Sequence, residues 1–127
     1  MPDIKFSKTA GSPEDLLASV QISLDSDQAE DVITIELAGK TAIADYMVVA
    51  SGRSQRHVGA VADHLLRNLK ATGYGGCQVE GMPNCDWVLV DAGDVIIHIF
   101  RPEVREFYNL EKMWSQERPD ESQVIAV

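Results

Sequence analysis

Cysteine, basic side chains and long apolar runs are all scarce in this sequence, and each scarcity narrows what the chain can do. Its two cysteines, Cys77 and Cys85, stand at a spacing that matches neither a metal-binding nor a redox motif. A disulfide-stapled scaffold is excluded, and two reduced thiols in a cytoplasmic protein are expected. No apolar run approaches the roughly 20 residues that cross a bilayer, so no membrane role is expected. The opening MPDIKFSKTAGSPED lacks the apolar centre of a secretory signal. Lys and Arg number 11 against 20 Asp and Glu, a formal charge of −9 at pH 7. Nucleic-acid affinity comes largely from cations that neutralise phosphates. An acidic chain is therefore repelled by bare RNA and drawn to basic protein surfaces. The same acidity also confers solubility, and composition by itself favours that plainer reading.

What is present suits one domain. The chain has 127 residues, 45% of them hydrophobic and 24% charged, enough for a single core but not for two. Residues 1–11 show no periodicity and read as a flexible N-terminus; 116–127 read as a polar, flexible tail; the domain is expected over 12–115. Ser12-Pro13-Glu14-Asp15 is a helix start, with Ser12 as N-cap and Pro13 at the first helical position. Leu16, Leu17, Val20 and Leu24 mark one face of that helix. Ile33, Ile35 and Leu37 share a face of a strand, and Tyr46 to Ser51 is a continuous apolar run suited to a strand buried on both sides. Val58, Val61, Ala62, Leu65 and Leu69 recur at helical spacing, with Gly73 at the stop. Gln78-Val79-Glu80 fits a short edge strand. The order α, β, β, α, β, β, β, α implies an α/β domain with a mixed five-stranded sheet flanked by helices.

The stretch from Asp86 to Trp114 holds most of the large polar-edged side chains. It reads as strand, tight turn, strand, then a helix from Pro102. Alternate residues of a strand share a face, so Val88 and Val90 oppose Trp87, Leu89 and Asp91. In the second strand Val95, Ile97 and Ile99 oppose Ile96, His98 and Phe100. One face of each strand is wholly β-branched and suits a packed core. A two-residue loop at Ala92-Gly93 would set Trp87 opposite His98 and Asp91 opposite Asp94. That register keeps the β-branched rows together, although Ala92 is ill suited to the positive φ such loops demand.

The same stretch carries a resemblance. Trp87-Val-Leu-Val-Asp91, Gly93-Asp94-Val-Ile-Ile-His98, Arg105 to Tyr108 and Leu110-Glu-Lys-Met-Trp114 resemble the signature of the ribosomal silencing factor (iojap-like) family. Asp45-Tyr46-Met-Val-Val-Ala-Ser-Gly-Arg-Ser54 and the helix with Ala62-Asp63-His64 resemble it as well, over about residues 13–115. Met47 stands where an aromatic is common, and Pro83-Asn84-Cys85 fills a variable loop. The resemblance implies a nucleotidyltransferase-like topology. It also implies a non-enzymatic translation repressor that binds the large ribosomal subunit through its fourteenth-numbered protein. Occupying that site would block subunit joining under nutrient limitation or in stationary phase, and aid to large-subunit maturation is implied too. Members form dimers, and a short edge strand permits a homodimer.

Candidate chemistry has to be weighed against plainer uses. The turn Ser51-Gly52-Arg53-Ser54 could cradle a phosphate at a helix N-terminus, or Ser54 could simply cap its helix. A nucleotidyltransferase, the alternative function, would also need two nearby carboxylates for magnesium, and none follows this turn. Asp91 and Asp94 could chelate a cation, serve the turn itself, or form an acidic tip for a basic partner. His57 and His64 stand two helical turns apart, too far for one ion without other ligands, and His98 fits a packed core histidine. No catalytic set, cofactor or metal site is therefore expected. Trp87 and Tyr108 suit either a core or an interface hot spot. With the resemblance, the expected partner surface is Trp87 and Leu89 as apolar anchors, Asp91 and Asp94 as acids, His98 as support for Trp87, with Arg105 and Tyr108 alongside. The partner would be a basic ribosomal protein, with little direct nucleic-acid contact.

Overall fold

The computed structural model describes residues 12–109. Helix α1, Pro13–Ser26, starts as its sequence dictates. Ser12 Oγ accepts from the Asp15 amide and the Asp15 carboxylate accepts from the Ser12 amide, a complete capping box. Strand β1 spans Glu30–Glu36 and β2 Tyr46–Ser51; helix α2 covers Gln55–Ala71. Strands β3 (Gln78–Glu80), β4 (Trp87–Asp91) and β5 (Val95–Phe100) follow, and α3 closes the described chain at Pro102–Tyr108. This is the element order read from periodicity.

The five strands form one sheet in the order β1-β2-β5-β4-β3. Only β2 and β5 run parallel; every other neighbouring pair is antiparallel. The β2 run, apolar at successive positions, is central, and all its residues beyond Tyr46 are buried. The domain is thus α/β with a mixed five-stranded sheet, as expected.

The two long helices cover one face. Leu16, Val20 and Leu24 of α1 and Val58, Val61, Ala62, Leu65 and Leu69 of α2 meet Val48, Ala50, Val88, Val90, Val95, Ile97 and Ile99. The β-branched rows therefore face the core, each side chain contributing about 1.5–3 kcal/mol on full burial. The seam between α1 and α2 carries polar ties: Asn68 donates to Ser23, and His57 and His64 both contact Asp27 at the end of α1. The Asp63–Arg67 pair on α2 is formed at 2.9 Å.

The opposite face is covered only in part. A smaller cluster of Ile35, Leu37, Ala44, Met47, Val49 and Phe100 lies there, with Trp87, Ile96 and Val104 against it. Among the described residues only α3 crosses this side as a helix.

The hairpin register differs from the one expected. Trp87 pairs with Phe100, Leu89 with His98 and Asp91 with Ile96, and the turn residues are Gly93-Asp94. Ala92 donates to the Val95 carbonyl, and Gly93 takes the positive φ, 91°, at the first turn position. The steric objection to Ala92 thus decides the turn. The shift is by two residues, so face assignments survive but partners change. Trp87 is diagonal to His98 rather than opposite it, and Asp94 sits at the turn instead of facing Asp91.

Candidate docking face

Strand alternation places Trp87, Leu89 and Asp91 of β4 and Ile96, His98 and Phe100 of β5 on the sheet face away from α1 and α2. Directly opposite residues of an antiparallel pair share a face. Gln78, opposite Asp91, and Glu80, opposite Leu89, therefore extend the surface at the β3 edge. Leu89, Asp91 and Ile96 are half-buried and Gln78 and Glu80 exposed. The result is an apolar patch with carboxylates along one margin.

Trp87 is a half-buried member of a ring cluster. Its centroid lies 4.9 Å from Phe100, 5.8 Å from His98 and 4.7 Å from Tyr108. The indole Nε1–H donates to His98 Nδ1 at 2.9 Å. His98 is 7% exposed, and desolvation lowers its pKa to about 4, since a buried charge has no water to stabilise it. The neutral ring leaves Nδ1 free to accept. The expected support of Trp87 by His98 is realised across a diagonal.

The other expected surface residues divide. Tyr108 is 48% exposed and lies against Trp87, so it continues the patch. The Asp91 carboxylate accepts from the Gly93 amide at 2.9 Å, tying the turn. Asp94 is exposed at the tip, and its carbonyl accepts from the Asp45 and Tyr46 amides, which anchors the start of β2. Arg105 is turned inward: it is 7% exposed and donates to the buried Ser51 Oγ at 2.8 Å. Its place is to fix α3 to the sheet. A guanidinium so enclosed does not belong on the exposed part of the surface.

Glu80 and Ile96 went unselected at the level of sequence. Glu80 alternates with Val79, the signal that would have put it beside Leu89 once β3 and β4 are paired.

The alternative chemistries meet definite geometry. At the turn from Ser51 into α2, three backbone donors are used within the protein. Gly52 N–H donates to the Phe100 carbonyl, Arg53 N–H to His57 Nδ1, and His57 N–H to Ser54 Oγ. A Cβ on Gly52 would collide with Val58, so the turn is pressed onto its helix rather than opened as a cradle. Among the described residues no three His, Cys, Asp or Glu side chains are placed to hold a metal ion. Cys77 and Cys85 are free thiols, and no described helix is long and apolar enough to cross a membrane.

Residues 9–126 match the family described as ribosomal silencing factor during starvation. The chain belongs to this family. Among its relatives, the ribosomal silencing factor RsfS of Zymomonas mobilis is 61% identical over 108 residues, covering 84% of this chain and 80% of the relative. The mouse protein named mitochondrial assembly of ribosomal large subunit protein 1 is 36% identical over 104 residues, 80% of this chain and 44% of the relative. A crystal structure of a Chromobacterium violaceum protein superposes with a TM-score of 0.80 at 32% identity, covering 87% of this chain and 92% of that one. The matched span takes in every described element, the β4–β5 hairpin and α3 of the open face among them.

Proposed function

We propose that this silencing-factor chain acts by steric occlusion, without catalysis. The face of β3, β4 and β5 opposite the long helices docks onto a basic protein of the large ribosomal subunit, the fourteenth-numbered one. A subunit so occupied cannot join the small subunit, and translation falls during nutrient limitation or stationary phase. The observation that carries the reading is the pairing of an apolar centre, Leu89 and Ile96, with a carboxylate margin, Asp91, Glu80 and Asp94, on a sheet face free of long helices. Interfaces combine such a centre with a polar rim. Complementary charge mainly sets encounter rate and partner choice, and a net charge of −9 favours a cationic protein over rRNA.

Trp87 and Tyr108 supply large rigid contact area at one end of the face. His98 holds the indole in place from below, and Arg105 holds α3. A further role in large-subunit maturation follows from the same site, since a factor seated on the joining surface also guards a subunit under construction. The name of the mouse relative, which refers to large-subunit assembly, supports this second use. The chain would then act in the cytoplasm wherever large subunits are free.

The test is a reassociation experiment. Purified large and small subunits are mixed with and without the protein and separated on a gradient. Joined ribosomes should fall as protein approaches one equivalent of large subunit, with the protein co-migrating with that subunit. Joining that proceeds unchanged while the protein stays at the top of the gradient would refute the proposal.

A further inference from the structure

Beside the open face lies a groove of about 520 Å³ between β4 and α3. Its floor is Trp87 and its far wall is Val104, Phe107 and Tyr108, with Asp86 and Glu103 on the rim. Phe107 is 80% exposed and meets Tyr108 edge-on at 5.1 Å. Through Tyr108 this ring is continuous with Trp87, and contiguous exposed apolar patches, unlike single rings, mark contact sites.

We infer that this groove takes one arginine or lysine side chain of the basic partner, a reading that rests on the docking proposal above. Three aromatic rings present π faces and edges around one volume, and cations within about 6 Å of such rings are attracted by the ring quadrupole. Among the described residues, two carboxylates stand at the mouth against one guanidinium. Arg101 donates to Asp86 through Nε and to Glu103 through an Nη, each at 2.8 Å. One cation between two anions leaves the rim negative. Hydrogen bonds from Gln55 and Arg101 hold the Asp86 carboxyl below its usual range, so it stays ionised. A nucleobase would also stack on these rings, but its phosphates would meet that rim and be repelled. A purely apolar side chain would fill the groove without using the carboxylates. The charged, long-stemmed side chain uses both. Its apolar stem lies along Val104 and Phe107 while its head reaches the acids.

The experiment measures affinity for purified large subunits with full-length protein carrying single substitutions, those in α3 at exposed positions. Phe107→Leu keeps apolar area but removes the π system, Phe107→Tyr restores it, Phe107→Ala removes both, and Glu103→Gln removes one charge. Leu89→Arg, outside the groove, reports on the open face itself. The inference expects Phe107→Leu and Glu103→Gln each to weaken binding by about tenfold, Phe107→Tyr to bind as wild type, and Leu89→Arg to abolish binding. If Phe107→Leu binds as wild type while Phe107→Ala does not, the occupant is apolar and the inference fails. If the α3 variants all bind as wild type and Leu89→Arg does not bind, the groove is idle and only the docking face stands. Tighter binding by the Phe107 variants would mean that the ring hinders the partner rather than receiving its cation, which also overturns it. Full binding by Leu89→Arg would instead overturn the docking reading.

Discussion

The Trp87 indole donates to His98 Nδ1 at 2.9 Å, so the largest side chain of the open face is oriented by a histidine that must stay uncharged. This bond joins β4 to β5 across a diagonal and couples the open face, the proposed docking surface, to the interior. Protonating His98 would put a hydrogen on the atom that accepts from the indole and a charge where little water reaches.

A pH dependence follows, with a definite sign. The folded-state pKa of His98 is about 4, below the 6.5 of an ordinary imidazole. Between those values the unfolded chain binds the extra proton and the folded chain does not, so stability rises with pH. The contribution is whole at pH 7 and is lost as pH falls from about 6.5 to about 4, by about 3 kcal/mol at its fullest. Urea unfolding at pH 7 and pH 4.5 should show a marked fall for the wild type and a smaller one for His98→Gln, whose amide oxygen can still accept from the indole. Equal falls would show that His98 is not the group responsible.

Gly81 controls the approach of the 81–86 loop to β4. Its φ is +90°, and a Cβ there would run into the Trp87 carbonyl oxygen. Gly81→Ala should therefore destabilise the fold by more than about 1 kcal/mol, through the positive φ and the clash together. Gly39, also at positive φ but with open space around it, is the control. Thermal unfolding of the two alanine variants should place Gly81→Ala clearly lower.

Nucleoside triphosphates with magnesium should leave the melting temperature unchanged. A ligand that binds only the folded state raises it by mass action, and the Gly52, Arg53 and His57 amides at this turn are already bonded within the protein, while a Cβ at Gly52 would meet Val58. Stabilisation that needs nucleotide and magnesium together would revive the nucleotidyltransferase alternative.

Much of this architecture was legible in the residues. The period-2 rows of Val and Ile in β4 and β5 and the 3.6-period row of α2 fixed which faces are buried, because burial acts on periodicity directly. The hairpin register was missed by two residues. The β-branched rows cannot distinguish registers of equal parity, so only the turn could decide, and the positive φ at Gly93 did. Arg105 belongs to the expected surface through the resemblance and its place beside Tyr108, yet it turns inward. Its partner Ser51 is 54 positions away, and no local pattern encodes such a contact. The convergence of His57 and His64 on Asp27 was hidden for the same reason. The flexible ends expected at residues 1–11 and 116–127, and the resemblance at Leu110 to Trp114, lie outside the described residues.

The account depends most on which side of the sheet meets the ribosome. Its most direct test is co-sedimentation with large subunits for two arginine variants, each checked for native circular dichroism and melting. Leu89→Arg places a cation on the open face; Ile22→Arg places one on the outer side of α1, where Ile22 is 66% exposed. The account predicts that Leu89→Arg stays at the top of the gradient while Ile22→Arg pellets with large subunits as the wild type does. A folded Leu89→Arg that still pellets, with Ile22→Arg left behind, would place the docking surface on the helices and contradict it.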